Sequence, residues 1–491
     1  MIKCQIALFT EEQLNKDRLK EFQAMFNPQS MAVVGASRAR KIGGQAVGFL
    51  QLAGYQGKIF PVNPKEREIL GLKAYPSVRE IQEPVDYAIV MVPAAAVLGV
   101  IDDCAAKGVK AVQLFTAGFS ETGEEEATRL ERKIVARARR AGIRLIGPNC
   151  AGISVPAKLI PLETTGVMGQ PGDIALLAQS GGHTETLADV GLSRGIRFSK
   201  LISFGNACDL NAIDFLEYLK DDPETRIIAL YVEGITDGRR LFELLAQISI
   251  NKPVVILKGG KTEAGKEMAM SHTGSLAGSA AVWKAAIKQA GVIEVSTLEE
   301  MADSLMALQY LPPITGNSIA IISQLGGGAG GAGVLAADIC TSLGLELPPL
   351  AEEIKAKLKS IVNYPGSILR NPLDLSLVGR QPALLGRVLN ILAGLTDIDL
   401  IMLNQRPTFL LALMPEAELR TINDVVVEFH KSKKKPLVVI SPPGGVYEKE
   451  RVEVEGRLTQ ASIPVYPSFE RAAKAITKII GYWSFRGKAQ E

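Results

Sequence analysis

Cysteine is scarce in this sequence and poorly spaced for structural use. The 491 residues hold five, at Cys4, Cys104, Cys150, Cys208 and Cys340, with no Cys-x-x-Cys pair. An odd, scattered set argues against a disulfide frame and against a thiolate zinc site, and suggests reduced thiols in a cytoplasmic protein. No stretch reaches about eighteen uninterrupted apolar residues, so no membrane span is expected. The opening MIKCQIALFTEEQ lacks a long apolar core and a small-residue cleavage site, so no signal peptide is expected. Net charge is +3, and neither end carries an acidic or basic tail. That balance gives no case for nucleic acid. The dense basic run Lys431–Lys435 follows an expected helix and reads as its solvated C-terminal end.

What is present is a rhythm. Short apolar runs end in Gly, Pro, Ser or Asn and are followed by helix-like segments, the pattern of parallel α/β sheets. Ala32–Val34, Ile59–Val62, Ala88–Val92, Ala111–Phe115 and Ile143–Ile146 form a first set of expected strands. A second set is Asp173–Leu177, Ile227–Val232 and Pro253–Lys258; a third is Ser318–Ser323, Leu400–Asn404 and Leu437–Ser441. The segments Asp173–Gly191 and Ser318–Ile339 share a plan of strand, Ser- or Gly-rich turn and small-residue helix, which reads as one module used twice. The length suits about three domains. Breakers near Gly147–Ala157 and at Leu311–Asn317 divide the chain into a polar leader at 1–29 and domains at 30–155, 156–312 and 313–491.

Open parallel sheets bind ligands at the carboxyl ends of their strands. The first such end is VVGASR (Val33–Arg38), with Lys41, Gly43 and Gly44 beyond it. Small residues before a helix N-terminus suit an anion. The spacing is not Gly-x-Gly-x-x-Gly, and the second strand ends Val62-Asn63-Pro64-Lys65 without an acid for a ribose diol. NAD is therefore disfavoured, and Lys65 suits a phosphate. Gly260–Glu267 nearly spells a phosphate-binding P-loop, but Glu267 stands where Ser or Thr would hold magnesium.

His272 is one of three histidines and sits in SHTGSLAGS (Ser271–Ser279), read here as a loop of small donors before a helix beginning near Ala277. A neutral imidazole can accept a phosphoryl group near pH 7. The turn Ser180–Gly182 and the run Gly326–Gly333 each open an expected helix, and two helix starts could hold a transferable phosphate. Glu233 ends a buried strand, where it could orient a histidine or simply cap a helix.

These segments, together with PVNP (Pro61–Pro64), MVP (Met91–Pro93), FTAGFSE (Phe115–Glu121), GPNCAG (Gly147–Gly152), QSGG (Gln179–Gly182), SFGNACDL (Ser203–Leu210), YVEGI (Tyr231–Ile235), GGAGVLAAD (Gly330–Asp338) and NPLDL (Asn371–Leu375), resemble the alpha subunit of ADP-forming (NDP-forming) acyl-CoA synthetases, relatives of succinyl-CoA synthetase. The resemblance runs from about Ser30 to near Ile479. It implies an α/β fold with an N-terminal Rossmann-like CoA-binding domain followed by two flavodoxin-like ligase domains. It implies a coenzyme A site lined by Gly35, Ala36, Ser37, Lys65, Val92, Pro93, Thr116, Ala117, Gly118, Asn149 and Cys150. His272 matches the phosphorylated histidine and Glu233 the acid that supports it. Ser180, Gly181 and Gly182 match one phosphate-holding helix start, and Gly330 and Gly331 the other. The implied reaction passes phosphate from ATP through His272 to a carboxylate, and CoA then releases it. No metal ligand is implied in this chain; ATP or ADP and Mg2+ would sit on a partner ATP-grasp beta subunit in a hetero-oligomer. Two departures stand out: His183 follows the QSGG turn, and Gly328 stands where relatives often have Asn. A CoA-binding regulatory or scaffold protein that has lost turnover is the alternative.

Overall fold

Buried strands of β-branched and aliphatic residues, most of them closed by Gly, Pro or a polar residue, organise the chain into three large sheets, beside a two-stranded ribbon of Glu68–Ile69 and Leu72–Lys73. The computed structural model describes residues 22–38, 42–161, 166–273, 279–324, 330–375, 380–444 and 446–490, and of 42–44, 270–273, 324 and 330 it describes the backbone alone. The first sheet contains β1 (Ser30–Val34), β2 (Lys58–Val62), β3 (Tyr87–Val90), β4 (Ala111–Leu114) and β5 (Arg144–Ile146), all parallel, in the order β2-β1-β3-β4-β5. Helices α1 (Ile42–Ala53), α2 (Ala94–Lys107) and α3 (Glu125–Arg140) belong to its crossovers. Helix α3 shows why such segments fold as they do. Glu125 and Glu126 lie in its first turn, Arg137, Arg139 and Arg140 in its last, and Ile134 and Ala138 are buried. The charges complement the helix dipole while one apolar stripe faces the core.

The second sheet contains β6 (Gly152–Ser154), β7 (Pro171–Ala178), β8 (Phe198–Ser203), β9 (Ile227–Val232), β10 (Val254–Lys258) and β11 (Ile293–Val295). Its order is β11-β10-β9-β7-β8-β6, and only β6 runs antiparallel. Its helices are α4 (Gly181–Ser193), α5 (Ala212–Asp221), α6 (Gly238–Ser249), α7 (Glu263–Thr273) and α8 (Ala280–Gln289). The third sheet, β12 (Ile319–Gln324), β13 (Leu373–Asp374), β14 (Leu400–Asn404), β15 (Leu437–Ile440) and β16 (Val465–Tyr466), is parallel in the order β13-β12-β14-β15-β16, and helix α9 (Gly330–Ser342) follows its first strand.

Setting β6 aside, each sheet has its first strand between its second and third. This is the doubly wound order 2-1-3-4-5, with a switch point between strands one and three. The two segments that read as a repeated module are β7–α4 and β12–α9, each the first strand and helix of its sheet. The switch point also brings distant sequence together. The residues after β1 meet those after β3, and the residues after β7 meet those after β9.

The chain divides into two compact units, 1–192 with 197–298 and 193–196 with 299–491. In the first unit Asp209, its side chain 1% exposed, ties the first two sheets together. Its carboxylate accepts hydrogen bonds from Arg139 Nε at 2.9 Å, Arg144 Nε at 3.0 Å and the Leu145 amide at 2.9 Å. Asn211 caps α5 and forms a reciprocal capping box with Asp214. Residues 22–26 are helical, and Phe22 and Phe26 stack on Tyr218 of α5 at 4.9 and 5.0 Å. Strand β8 was not expected from the sequence, because Ser199, Lys200 and Ser203 break its apolar run. All three are buried, and Lys200 is neutralised by Asp222 at 2.8 Å and Glu224 at 2.7 Å. Among the described residues no helix is long and apolar enough to cross a membrane.

Candidate functional site

The loops at the carboxyl edge of the first sheet are laced to one another. The Gly35 amide donates to the Val62 carbonyl at 3.0 Å, and Asn63 Nδ2 donates to the Ala36 carbonyl at 2.6 Å. Asn63 Oδ1 then accepts from the Lys65 amide at 2.8 Å. Thr116 Oγ1 donates to the Val92 carbonyl at 2.7 Å, and the Asn149 amide donates to the Thr116 carbonyl at 3.0 Å. Gly35 has φ +92°, and a Cβ there would lie 2.4 Å from the Met91 carbonyl oxygen. Only glycine lets β1 turn away this close to β3.

The eleven residues expected to line a coenzyme A site all lie on these loops. Lys65, Pro93, Ala117 and Gly118 are exposed, Gly35, Ser37, Val92 and Asn149 are half-buried, and Ala36, Thr116 and Cys150 are buried. Exposed lysine and open backbone suit a phosphorylated ligand; no acid ends β2 to hold a ribose diol, and the nearest beyond it, Glu66, pairs with Arg38 Nε at 2.9 Å. Cys150 is no nucleophile. Its Sγ contacts the Leu114 carbonyl at 3.4 Å, and burial pushes its thiol up to about 12.

Glu121 stiffens this edge, a role the sequence reading did not assign. Its carboxylate accepts from the Gly118 amide at 2.5 Å, the Phe119 amide at 3.1 Å and Asn206 Nδ2 at 2.5 Å. Burial works to raise its pKa, but the bonds from Asn206 and the backbone outweigh it and hold the carboxyl below the usual range.

The second cluster forms where β7 and β9 end. Ser180 caps α4: its Oγ accepts from the His183 amide at 3.3 Å, and its carbonyl from the Thr184 amide at 3.2 Å. Gly182 opens onto free space, whereas a Cβ on Gly181 would stand 3.3 Å from the Ala151 Cβ. Glu233 is half-buried, and its Oε1 accepts from the Tyr231 hydroxyl at 3.0 Å. The Glu233 and Gly234 amides donate to Gln179 Oε1 at 2.8 and 3.2 Å. Lys258 Nζ donates to the Glu233 carbonyl at 2.6 Å, and burial holds its pKa below the ordinary lysine value. The His183 ring meets the Tyr231 ring edge-on, with centroids 4.5 Å apart. The structure therefore brings Ser180, Gly181, His183 and Glu233 together through Gln179 and Tyr231. Both connectors sit inside the QSGG and YVEGI segments, but nothing in the sequence spacing pairs them.

His272 lies at the end of α7, so its backbone is helical and not the loop expected from its small neighbours. The next described helix, α8, begins at Ala280, beyond the expected start near Ala277. The His272 side chain, residues 274–278, Lys41 and Gly328 lie outside the described residues. Helix α7 packs against the Ser120–Thr122 turn that holds Glu121. In the near-P-loop, Lys266 pairs with Glu263 at 2.6 Å and Lys261 with Glu294 at 2.6 Å, so both lysines face protein carboxylates. Gly330 and Gly331 open α9 in the second unit. Among the described residues no group of three or more His, Cys, Asp or Glu side chains could hold a metal.

Comparison with known proteins agrees with this geometry. Residues 29–156 match a CoA binding domain, and residues 171–308 match the succinyl-CoA ligase like flavodoxin domain. The acetate–CoA ligase [ADP-forming] I subunit alpha of Pyrococcus furiosus is 38% identical over 478 residues, covering 96% of this chain and 99% of that protein. The 4-hydroxybutyrate–CoA ligase [ADP-forming] of Nitrosopumilus maritimus is 29% identical over 467 residues, covering 93% of this chain and 64% of that longer protein. The solved dinucleotide forming acetyl-coenzyme A synthetase 1 of Ca. Korarchaeum cryptofilum, in complex with phosphate and ADP, superposes with a TM-score of 0.81 at 33% identity, covering 96% of this chain and 99% of that one. With its loops, its strand order and these relatives in agreement, this chain belongs to the family of ADP-forming acyl-CoA synthetase alpha subunits.

Proposed function

We propose that this chain is the CoA-binding, phosphohistidine-bearing subunit of an NDP-forming acyl-CoA synthetase, interconverting carboxylate, CoA and ATP with acyl-CoA, ADP and phosphate. His272 takes the γ-phosphoryl group of ATP, which leaves as ADP. A carboxylate oxygen then attacks that phosphorus, the P–N bond breaks, and an acyl phosphate forms. Attack of the CoA thiolate on the acyl carbon breaks the C–O bond and frees orthophosphate. Every step is reversible. Transfer of this kind depends on positioning and charge neutralisation more than on acid–base chemistry. Ser180, Gly181 and Gly182 at the start of α4 supply backbone donors for phosphoryl oxygens, and Gly330 and Gly331 open a second helix start of the same kind, α9. Glu233 orients the imidazole and stabilises its cation. Gly35, Ala36, Ser37, Lys65, Val92, Pro93, Thr116, Ala117, Gly118, Asn149 and Cys150 line the CoA site.

The observation that carries this reading is the packing of α7, the helix bearing His272, against the turn whose Glu121 fixes the Gly118 loop. A phosphoryl acceptor and a CoA loop share one contact within one unit. ATP and Mg2+ belong on a separate ATP-grasp beta subunit, and the four described cysteines, all free thiols, suit a cytoplasmic setting. Incubating the chain with that partner and γ-labelled ATP tests the reading. An acid-labile, base-stable label that vanishes in His272→Ala together with acyl-CoA formation supports it. Full activity in His272→Ala refutes it.

A further inference from the structure

The start of α4 meets the CoA loops at one residue. A Cβ on Gly181 would stand 3.3 Å from the Cβ of Ala151, which directly follows Cys150. Ala151 is fixed on both sides: its amide donates to Ser203 Oγ at 3.2 Å, and its carbonyl accepts from Gln113 Nε2 at 2.8 Å. His183 stands half-buried in the first turn of α4. Helical side chains lean back over the turn before them, which here is Ser180–Gly182. The His183 amide is tied to Ser180 Oγ and its ring rests edge-on against Tyr231, yet among the described residues no hydrogen bond or ion pair engages either ring nitrogen.

The other polar groups at this junction are committed. Thr184 Oγ1 donates to the Ser180 carbonyl at 2.9 Å, and Lys258 is turned to the Glu233 carbonyl. Glu233 accepts from Tyr231, whose hydroxyl is pushed far above its ordinary value by burial first and by that carboxylate second, so it stays a donor. Burial keeps the Cys150 thiol protonated. Around the ring, the titratable groups are Tyr231 and Glu233 at the end of β9, Lys258 at the end of β10 and Glu185 on α4 itself. Of the other histidines, His430 belongs to the second unit and His272 is assigned to phosphorus. His183 is the imidazole left between the phosphate turn and the CoA edge.

We propose that His183 is the proton shuttle of the thiolysis step, taking the proton of the CoA thiol and delivering it to the departing phosphate. The inference rests on the reaction proposed above, in which an acyl phosphate on the Ser180–Gly182 turn meets CoA arriving from the first sheet. A thiol is only a few per cent ionised at pH 7, and a neutral imidazole is a base suited to that pH. As the sulfur–carbon bond forms, the S–H proton passes to a ring nitrogen of His183. As the carbon–oxygen bond breaks, the same proton passes to the oxygen that leaves. The products are the thioester and hydrogen phosphate, with the imidazole neutral again. In reverse, the ring takes the proton of hydrogen phosphate and returns it to the CoA thiolate.

Acetyl phosphate and CoA, given to the assembled enzyme without ATP, test this step alone, because His272 need not be phosphorylated. His183→Gln should slow acetyl-CoA formation about hundredfold at pH 7, the size of a general acid–base contribution. Between about pH 7 and pH 8 the unmodified rate should stay nearly level, while the variant's should rise about tenfold as CoA thiolate grows towards the ordinary thiol pKa near 8.5. His183→Phe keeps an aromatic ring against Tyr231 but has no base, so it should match His183→Gln. Added imidazole should restore turnover to His183→Gly and not to His183→Phe, whose ring fills the space. Full turnover in His183→Phe would overturn the inference, since packing against Tyr231 would then be the ring's whole role. So would an unmodified rate and pH profile in His183→Gln, or a His183→Gln enzyme whose His272 labelling falls as far as its thiolysis. Labelling with γ-labelled ATP in the same preparations separates the two claims: label on His272 with thiolysis indifferent to His183 overturns the shuttle alone, and thiolysis dependent on His183 without label on His272 overturns the phosphohistidine reading alone.

Discussion

The Tyr231 hydroxyl donates to Glu233 Oε1 at 3.0 Å, and the His183 ring packs edge-on against the same tyrosine. The two bonded residues lie on either side of Val232, at the carboxyl end of β9, where the strand leaves the sheet. Space there is tight, since a Cβ on Gly259 would stand 2.9 Å from the tyrosine hydroxyl. A carboxylate held in one rotamer can present its second oxygen in one direction. Tyr231→Phe removes that hold without emptying the site. Hydrogen bonds to charged groups contribute roughly 1.5–3 kcal/mol, so the turnover number should fall about tenfold or more while the Michaelis constant for CoA stays within twofold. Steady-state kinetics of the assembled enzyme measure both, and Glu233→Gln should cost more than Tyr231→Phe.

Two glycines should behave in opposite ways. Gly35 has φ +92° and a carbonyl 2.4 Å from where a Cβ would sit, so Gly35→Ala strains the backbone and parts β1 from β3. We expect a loss of about 2–4 kcal/mol of stability together with weakened CoA binding. Gly182 has nothing within 4 Å of its added Cβ. Gly182→Ala should keep the melting temperature within about 2 °C, as substitutions away from packed features do, while slowing phosphoryl transfer. Thermal unfolding and His272 labelling of the two variants separate a glycine needed by the fold from one needed by the ligand.

The cysteines give a pH dependence of known sign. Burial pushes Cys104, Cys150 and Cys340 each up to about 12, with the nearby Asp103 carboxylate also raising Cys104. An unfolded thiol ionises near 8.5. The folded state therefore holds its thiol protons where the unfolded state releases them. The resulting stability is fully present below about pH 8.5 and is lost as the pH rises towards 12. At pH 8 only about one thiol in ten thousand at these sites is ionised, so iodoacetamide should leave all three unmodified in the folded chain and label them in denaturant. Peptide mapping after alkylation reads the difference directly.

Much of this architecture is legible in the sequence because parallel strands buried on both faces read as unbroken apolar runs. Ile227–Val232 and Leu400–Asn404 match β9 and β14 residue for residue. Strand β8 is hidden because Lys200 interrupts it, and its neutralisation by Asp222 is a contact across twenty-two residues that no local pattern reports. Strands β13 and β16 have two residues each, too short for any periodicity. His272 read as a loop residue because glycine and serine follow it, but Ala264, Lys266, Glu267, Met268 and Met270 before it are strong helix formers and carry α7 through it. The loops after β1, β3 and β4 are readable as small-residue strand ends. Tyr231 and Gln179 were not, since their partners are fixed by the switch point of the sheet and not by sequence distance.

Asp209 should matter for the coupling of the first two sheets and little for chemistry. Its side chain is 1% exposed and accepts from Arg139, Arg144 and the Leu145 amide. Asp209→Ala leaves a buried amide and the largely buried Arg144 without their acceptor, while Arg139 returns to solvent. Breaking a buried pair costs about 3–5 kcal/mol, and the exposure of Arg139 places this case near the lower figure. Chemical denaturation should show that loss, with CoA affinity reduced only as far as unfolding requires.

Gln179 tests whether the second cluster depends on its acceptor or on its charge. Its side-chain oxygen takes both the Glu233 and Gly234 amides, and the residue is buried immediately before the Ser180 turn. Gln179→Ala strips two amides of their partner, at roughly 1–3 kcal/mol for each one left buried, and should lower the melting temperature measurably. Gln179→Glu keeps an oxygen for both amides, so the fold should hold within a few degrees. It also places a second carboxylate beside Glu233, where a phosphoryl group carrying negative charge would have to approach. Like charges at that range in a half-buried site repel by several kcal/mol, enough to slow His272 phosphorylation by a hundredfold or more. If both variants lose stability equally and Gln179→Glu still phosphorylates at the unmodified rate, the cluster is a structural turn and not a seat for phosphate.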